Sequence, residues 1–137
     1  MPSELQAFAT GFPTTLIHAA LSLVMLAIGG VLHGLLSPHK EVQQVREGNS
    51  AAAVSFGGTL AGIAIPLAAS LNASTSTVEV AVWGAAIVAV QLLLFWIIDL
   101  ILAGLPQRTR EGEVAPAVLL VSAKLAVSII VAAAVAA

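Results

Sequence analysis

The sequence contains no cysteine and very little charge. Without cysteine there can be no disulfide, no thiolate metal site and no cysteine nucleophile, and thiols say nothing about redox compartment. Charged residues make up 9% of the chain, where soluble proteins carry about 25%. The net charge of −2 is too small to point to nucleic acid or an anionic membrane surface as partner. No lysine or arginine precedes the first apolar run, so no cleaved signal peptide is expected and the first helix should be retained. There is no Ser/His/Asp order, no metal-ligand cluster and no phosphate loop. An enzyme is not expected, nor a cofactor or a metal.

What is present is apolar. Of 137 residues, 59% are hydrophobic, and the mean hydropathy is +1.05. A soluble core of this size could not hide that surface, whereas lipid can. A hydrocarbon core of about 30 Å takes roughly 20 helical residues, and four stretches are long enough: 14–36, 50–71, 78–103 and 114–136. Pro13 suits the start of the first. Asn49 suits the cap of the second. Ser76 and Glu79 fit a capping box for the third, and Pro116 is tolerable in the first turn of the fourth. Residues 3–12, with Leu5, Phe8 and Phe12, read either as a short amphipathic piece on the outer surface or as a frayed tail. The Trp83 and Trp96 indoles fall near opposite ends of the third span, as interfacial aromatics do.

Basic residues set the orientation. Lys40 and Arg46 lie between the first two spans, and Arg108 and Arg110 lie between the last two. The tails and the 72–77 loop carry neither lysine nor arginine. The positive-inside rule places both basic loops in the cytoplasm and both termini outside.

One segment occurs twice. Arg46-Glu47-Gly48 recurs as Arg110-Glu111-Gly112, each opening an apolar run. Laying 46–71 over 110–135 also matches Ala51, Ala53, Val54, Ile65, Ala68 and Ala69 with identical residues. Alanine matches are cheap in this composition; the Arg-Glu-Gly triplet is not. The reading is an all-α, integral membrane four-helix bundle in one domain, 1–137. It is built from two tandem hairpins, 14–71 and 78–136. Each has an even number of spans, so the copies run parallel, related by an axis along the membrane normal.

Pro38-His39, Arg46-Glu47-Gly48-Asn49, Ala51-Ala52, Phe56 to Gly62, Ile65-Pro66-Leu67, Trp83-Gly84 and Gln91-Leu92-Leu93 carry a resemblance over nearly the whole chain. The sequence resembles bacterial inner-membrane proteins of the family called domain of unknown function 350. That resemblance implies a multi-pass protein of the bacterial inner membrane and no assigned activity. It also suggests an envelope-stress or other cytoplasmic partner. The second repeat departs from the first, with Glu113 for Asn49 and Val121-Ser122 for Gly57-Gly58.

Lys124 is the sharpest single signal, because it lies about ten residues into its span, where a lone lysine costs about 2.5–3.5 kcal/mol. Asp99, roughly 8–10 Å nearer the cytoplasm at 1.5 Å per residue, lies within reach of a lysine stem. A Lys124–Asp99 pair, direct or through water, either registers two helices or lines an ion pathway. His18 and His33 project about 60° apart on one helix, with Ser22 and Gly29 on the same side. A His33–Asp99 hydrogen bond would let imidazole relay protons; the plainer reading is a histidine held by a carbonyl or interfacial water. Gln91 needs an internal partner, and Lys124 is one at similar depth. Ser55, Thr59, Gly62 and Pro66 share one face of the second span. Gly57, Gly58 and Gly62 favour close packing, while Pro66 frees the Gly62 carbonyl, which must be satisfied inside protein or in a wet cavity. The Arg46-Glu47-Gly48-Asn49 and Arg110-Glu111-Gly112 loops are a topology signal and helix start, or a docking site for a cytoplasmic protein.

Two functions follow as expectations. One is an oligomeric channel or transporter component for ions or small solutes, with Lys124, Asp99, Gln91, His33 and His18 along the route. The other is a scaffold recruiting a partner through its loops. Lipid bilayer and further copies of the chain are the expected partners in either case.

Overall fold

The apolar runs form helices, and the charged connectors between them form two short helices of their own. A computed structural model describes residues 2–37 and 40–137; Pro38 and His39 lie outside them. Among the described residues the elements are α1 (Ser3–Leu36), α2 (Glu41–Arg46), α3 (Ser50–Ala73), α4 (Thr77–Ile101), α5 (Leu105–Arg110) and α6 (Val114–Ala136). Four of them, α1, α3, α4 and α6, are long and apolar enough to cross a membrane.

The caps follow the local sequence. The Asn49 side chain accepts the Ala52 N–H at 3.0 Å and starts α3. Ser76 Oγ accepts the Glu79 N–H at 3.2 Å and starts α4. The Glu79 carboxylate reaches one residue further back than a capping box requires, accepting from the Thr75 N–H at 2.9 Å and the Thr75 hydroxyl at 3.2 Å. Pro116 sits in the first turn of α6. The start of α1 differs from expectation. The helix begins at Ser3 and runs through Pro13, so residues 3–12 are continuous with the span. An interior proline forfeits one backbone bond. Around it, the Thr10 and Thr15 hydroxyls donate to the Gln6 and Gly11 carbonyls at 2.9 and 3.1 Å, and the Phe8 and Phe12 rings stack at 4.7 Å.

Helix α3 is the hub. It packs most extensively along α6 and also meets α4 and α1. Its inward face carries Ser55, Thr59, Gly62 and Pro66, all buried, as their spacing predicts. Glycine permits the approach: a Cβ at Gly62 would lie 2.6 Å from the Phe95 ring and 3.0 Å from Ser128 Oγ, and one at Gly58 would collide with Val121. Gly57, expected in the same packing set, takes no part in packing within the chain. It is one residue, roughly 100°, round the helix from Gly58, and a Cβ there would meet nothing within 4 Å. The apolar core is Ile63, Val88, Phe95, Ile98 and Leu120. Leu67, Val80 and Ile87 are buried as well, while many other large apolar side chains point outward, Leu35 and Ile130 among them, as befits helices solvated by lipid tails.

The two connectors adopt one local geometry. Gly48 and Gly112 take left-handed conformations, φ +89° and +94°, where a side chain would strain the backbone. The Gly48 N–H donates to the Val45 carbonyl and the Gly112 N–H to the Thr109 carbonyl, both at 3.0 Å. The Asn49 N–H reaches the Gln44 carbonyl at 3.0 Å, and the Glu113 N–H reaches the Arg108 carbonyl at 3.1 Å. Gln43 donates to Glu47, and Gln107 to Glu111, each at 3.3 Å. The repeated Arg-Glu-Gly is thus a helix stop followed by a new helix start.

Candidate functional site

Helix α4 turns Gln91, Phe95 and Asp99 onto one face, a helical turn apart, and α6 presents Lys124 and Ser128 to them at the same spacing. The Lys124 side chain is 2% exposed, and its Nζ lies 3.2 Å from Asp99 Oδ1; the Asp99 side chain is 27% exposed. The ammonium also sits 5.4 Å from the centre of the Phe95 ring, within cation–π range. An ammonium in lipid must find an anion, and the four-carbon stem delivers it toward the loop end, where the carboxylate stands.

Above this pair the chain makes a neutral staple. Gln91 Nε2 donates to the Gly62 carbonyl at 2.7 Å and to Ser128 Oγ at 2.9 Å. Ser128 in turn donates to the Lys124 carbonyl at 2.7 Å. The expected Gln91–Lys124 side-chain contact is therefore replaced. Pro66 leaves the Gly62 carbonyl without its helical donor, the Gln91 amide supplies one, and the charged carboxylate takes the ammonium.

His33 is buried, but its neighbour is not the one expected. Its Nε2 faces Glu41 Oε1 at 3.5 Å, in place of a hydrogen bond to Asp99. The chain leaves α1, turns through Lys40 in a left-handed conformation of φ +51°, and starts α2 with Glu41 directed back at the imidazole. Among the described residues, His33 Nε2 and Glu41 Oε2 have no hydrogen-bond partner. His18 stands apart near the middle of α1, with Nε2 3.2 Å from Thr77 Oγ1.

Asp99 borders three spaces. One is a groove of about 320 Å³ between α1 and α4, shared with His33, Leu92 and Trp96. A second, of about 270 Å³, runs along Trp96, Gly104 and Pro106. The third is a cavity of about 10 Å³ that Asp99 shares with Glu41, Ser55, Thr109 and Lys124, close to the smallest space that holds one water. Among the described residues, no three His, Asp or Glu side chains converge as a metal site would require.

The loop motif residues form the lid of this end. Asn49 Nδ2 donates to the Arg110 carbonyl at 3.0 Å, tying one connector to the other. The Arg110 guanidinium donates to Gln107 at 2.6 Å. Arg108 grips Glu113 through two bonds of 2.8 and 2.9 Å, which hold the Glu113 carboxyl below the ordinary carboxylate range. Arg46, Glu47 and Glu111 are exposed on the same surface. Sequence reading missed Glu41 and Ser128. A single glutamate in a short polar stretch gives no sign that the chain folds back beneath α1, whereas Ser128, one turn beyond Lys124, could have been found by following that face.

Four apolar helices around a polar, charge-bearing interior define a multi-pass membrane protein. The chain belongs to the family described as Domain of Unknown Function (DUF350), which matches residues 7–135. It is 29% identical over 106 residues to the UPF0719 inner membrane protein YjfL of Escherichia coli (strain K12), an alignment covering 77% of this chain and 80% of that protein. The protein of the same name from Escherichia coli O157:H7 matches to the same extent. No solved structure matches.

Proposed function

We propose that the chain is one subunit of an inner-membrane conduit for ions or small solutes, with the Lys124–Asp99 pair as its charge-handling centre. One observation carries this reading: an ammonium sealed from lipid, 2% exposed, is paired with a carboxylate that is 27% exposed and borders three spaces. Intramembrane charges of this kind mark ion and substrate routes. The inner membrane is the location named for the Escherichia coli relative. The basic loops favour an orientation with the open end of the cluster in the cytoplasm and both termini outside.

Two further features support the reading. The matched turns at Gly48 and Gly112 favour descent from a duplicated hairpin. Ala53, Gly57 and Ala61 form an exposed strip of small residues on α3, suited to close helix packing between copies. A wall only four helices thick suits a route at a subunit junction or along the bundle centre. The arrangement acts on charge in transit and not on covalent bonds.

Flux of protons, potassium and chloride into proteoliposomes tests this. Lys124→Met and Asp99→Asn should each abolish the flux that the unaltered protein supports. Full flux in both variants, with helical content intact, removes the conduit. The Asn49–Arg110 bond favours a second reading, a scaffold whose two connectors make one docking surface. In that case Arg46→Ala or Arg110→Ala would release a co-purifying partner while flux is absent throughout.

A further inference from the structure

Among the described residues, the charges clustered at the loop end of the bundle do not balance. Lys124 contributes one ammonium, and Asp99 and Glu41 contribute two carboxylates that line the same small cavity. While the imidazole of His33 is neutral, the cluster carries one negative charge in excess. Asp99 is engaged by Lys124 and partly exposed, so the excess rests on the buried Glu41 carboxylate, where an unpaired charge is costly enough that the group binds a proton instead. The exposed cations nearby do not remove the imbalance. Lys40 is exposed beside Glu41, and the exposed Arg110 turns its guanidinium to Gln107; water screens both.

The geometry shows where the balancing proton fits. His33 Nε2 and Glu41 Oε1 face each other at 3.5 Å with both side chains about nine-tenths buried. That is longer than a hydrogen bond of 2.7–3.2 Å. Asp99 is already engaged by Lys124 at 3.2 Å. The groups that face the pair are Asp99 from α4 across the α1–α4 groove, and Lys124 from α6 with Thr109 and Arg110 from α5 across the small cavity. A larger cation is poorly served: the cavity is about 10 Å³, and no third ligand converges among the described residues.

We infer that His33 and Glu41 together hold one exchangeable proton, taken up from the loop side to balance the Lys124–Asp99 cluster, and so form the proton-loading site of the protein. This rests on the conduit reading for its purpose and names the proton as the ion held there. On uptake the proton joins the imidazole–carboxylate pair and the cluster passes from one negative charge to none.

Potentiometric titration of the full chain in lipid nanodiscs, between about pH 8 and pH 5 where imidazole exchanges its proton, tests the assignment by difference. Glu41→Gln should take up about one proton fewer than the unaltered chain, because nothing is left to balance. Asp99→Asn should also lose about one, although it removes a different carboxylate, because Glu41 then balances the stranded ammonium. In Lys124→Met, Asp99 is left to the water that reaches it and Glu41 stays unpaired, so the uptake should persist. Glu41→Asp should keep the uptake. Loss on removing either carboxylate and persistence on removing the ammonium are what charge balance requires and what a merely structural pair would not give. Uptake unchanged in Asp99→Asn, retained in Glu41→Gln or lost in Lys124→Met overturns the site. Flux lost in Lys124→Met with uptake retained in Glu41→Gln removes the proton assignment alone. The expected uptake with no flux in the unaltered chain removes the conduit alone.

Discussion

Removing one partner of the Lys124–Asp99 pair should hurt far more from one side than from the other. In Asp99→Asn the ammonium stays where it is, 2% exposed, without its carboxylate. Stranding a buried charge costs about 3–5 kcal/mol, and a lone lysine at the centre of a membrane helix about 2.5–3.5 kcal/mol. The Phe95 face, 5.4 Å away, and the remaining amide oxygen offset part of this, which leaves about 2–3 kcal/mol. In Lys124→Met the carboxylate that remains is 27% exposed and can draw on water through the spaces it borders. The thioether fills nearly the same volume against Phe95, so the cost should be about 1 kcal/mol or less. The double variant then carries no stranded charge and should lie near Lys124→Met, giving a coupling of about 2 kcal/mol. Steric-trap unfolding of the full chain in bicelles measures all three. A Lys124→Met variant as unstable as Asp99→Asn, or additive losses in the double variant, would refute the burial asymmetry.

Gly62→Ala should destabilise the bundle by about 1–3 kcal/mol, since its Cβ would press on the Phe95 ring and Ser128 Oγ. Gly57→Ala, with nothing within 4 Å, should be neutral or slightly stabilising in the same unfolding measurement. The Arg108–Glu113 pair predicts a pH effect. Arg108 lowers the folded-state pKa of Glu113, so the contribution is present above the ordinary carboxylate range and disappears as pH falls through the folded value. Glu113→Gln should flatten the acid side of the stability curve; an unchanged slope would mean that the exposed pair contributes nothing.

Much of this architecture is legible in the residues because lipid leaves few choices. Runs of apolar residue types about 20 long can only be spans, and Asn49 and Ser76 mark two starts through hydrogen bonds the backbone needs. The Lys124–Asp99 contact follows from depth and stem length, since a buried ammonium requires an anion and one carboxylate lay within reach. The inward face of α3 follows from spacing alone. Pro13 misled because a preference for first turns is not a helix start. The His33 partner could not be read because it depends on a chain return, in which α2 brings Glu41 under α1 through a left-handed Lys40; for Gln91 the carbonyl freed by Pro66 was legible, and only the packing of α3 against α4 decides that the two meet. Gly57 and Gly58 look alike in sequence and differ only in which way α3 is rotated, which its neighbours decide.

Helix α1 is 34 residues long, yet only Ser22, Gly29, Gly30 and His33 are buried. It is gripped by knobs from its neighbours, Leu60, Ile63 and Val88, seated on its glycines, and returns to the core only the half-buried Met25 and Leu26. Pulling such a helix aside would withdraw little beyond those two side chains, and acyl chains would cover the uncovered surface as readily as protein does. The least anchored rod in the structure therefore carries the imidazole. A shutter hung this way could swing into the bilayer at low cost, parting His33 from Glu41 while α3, α4 and α6 stay clenched around the ammonium.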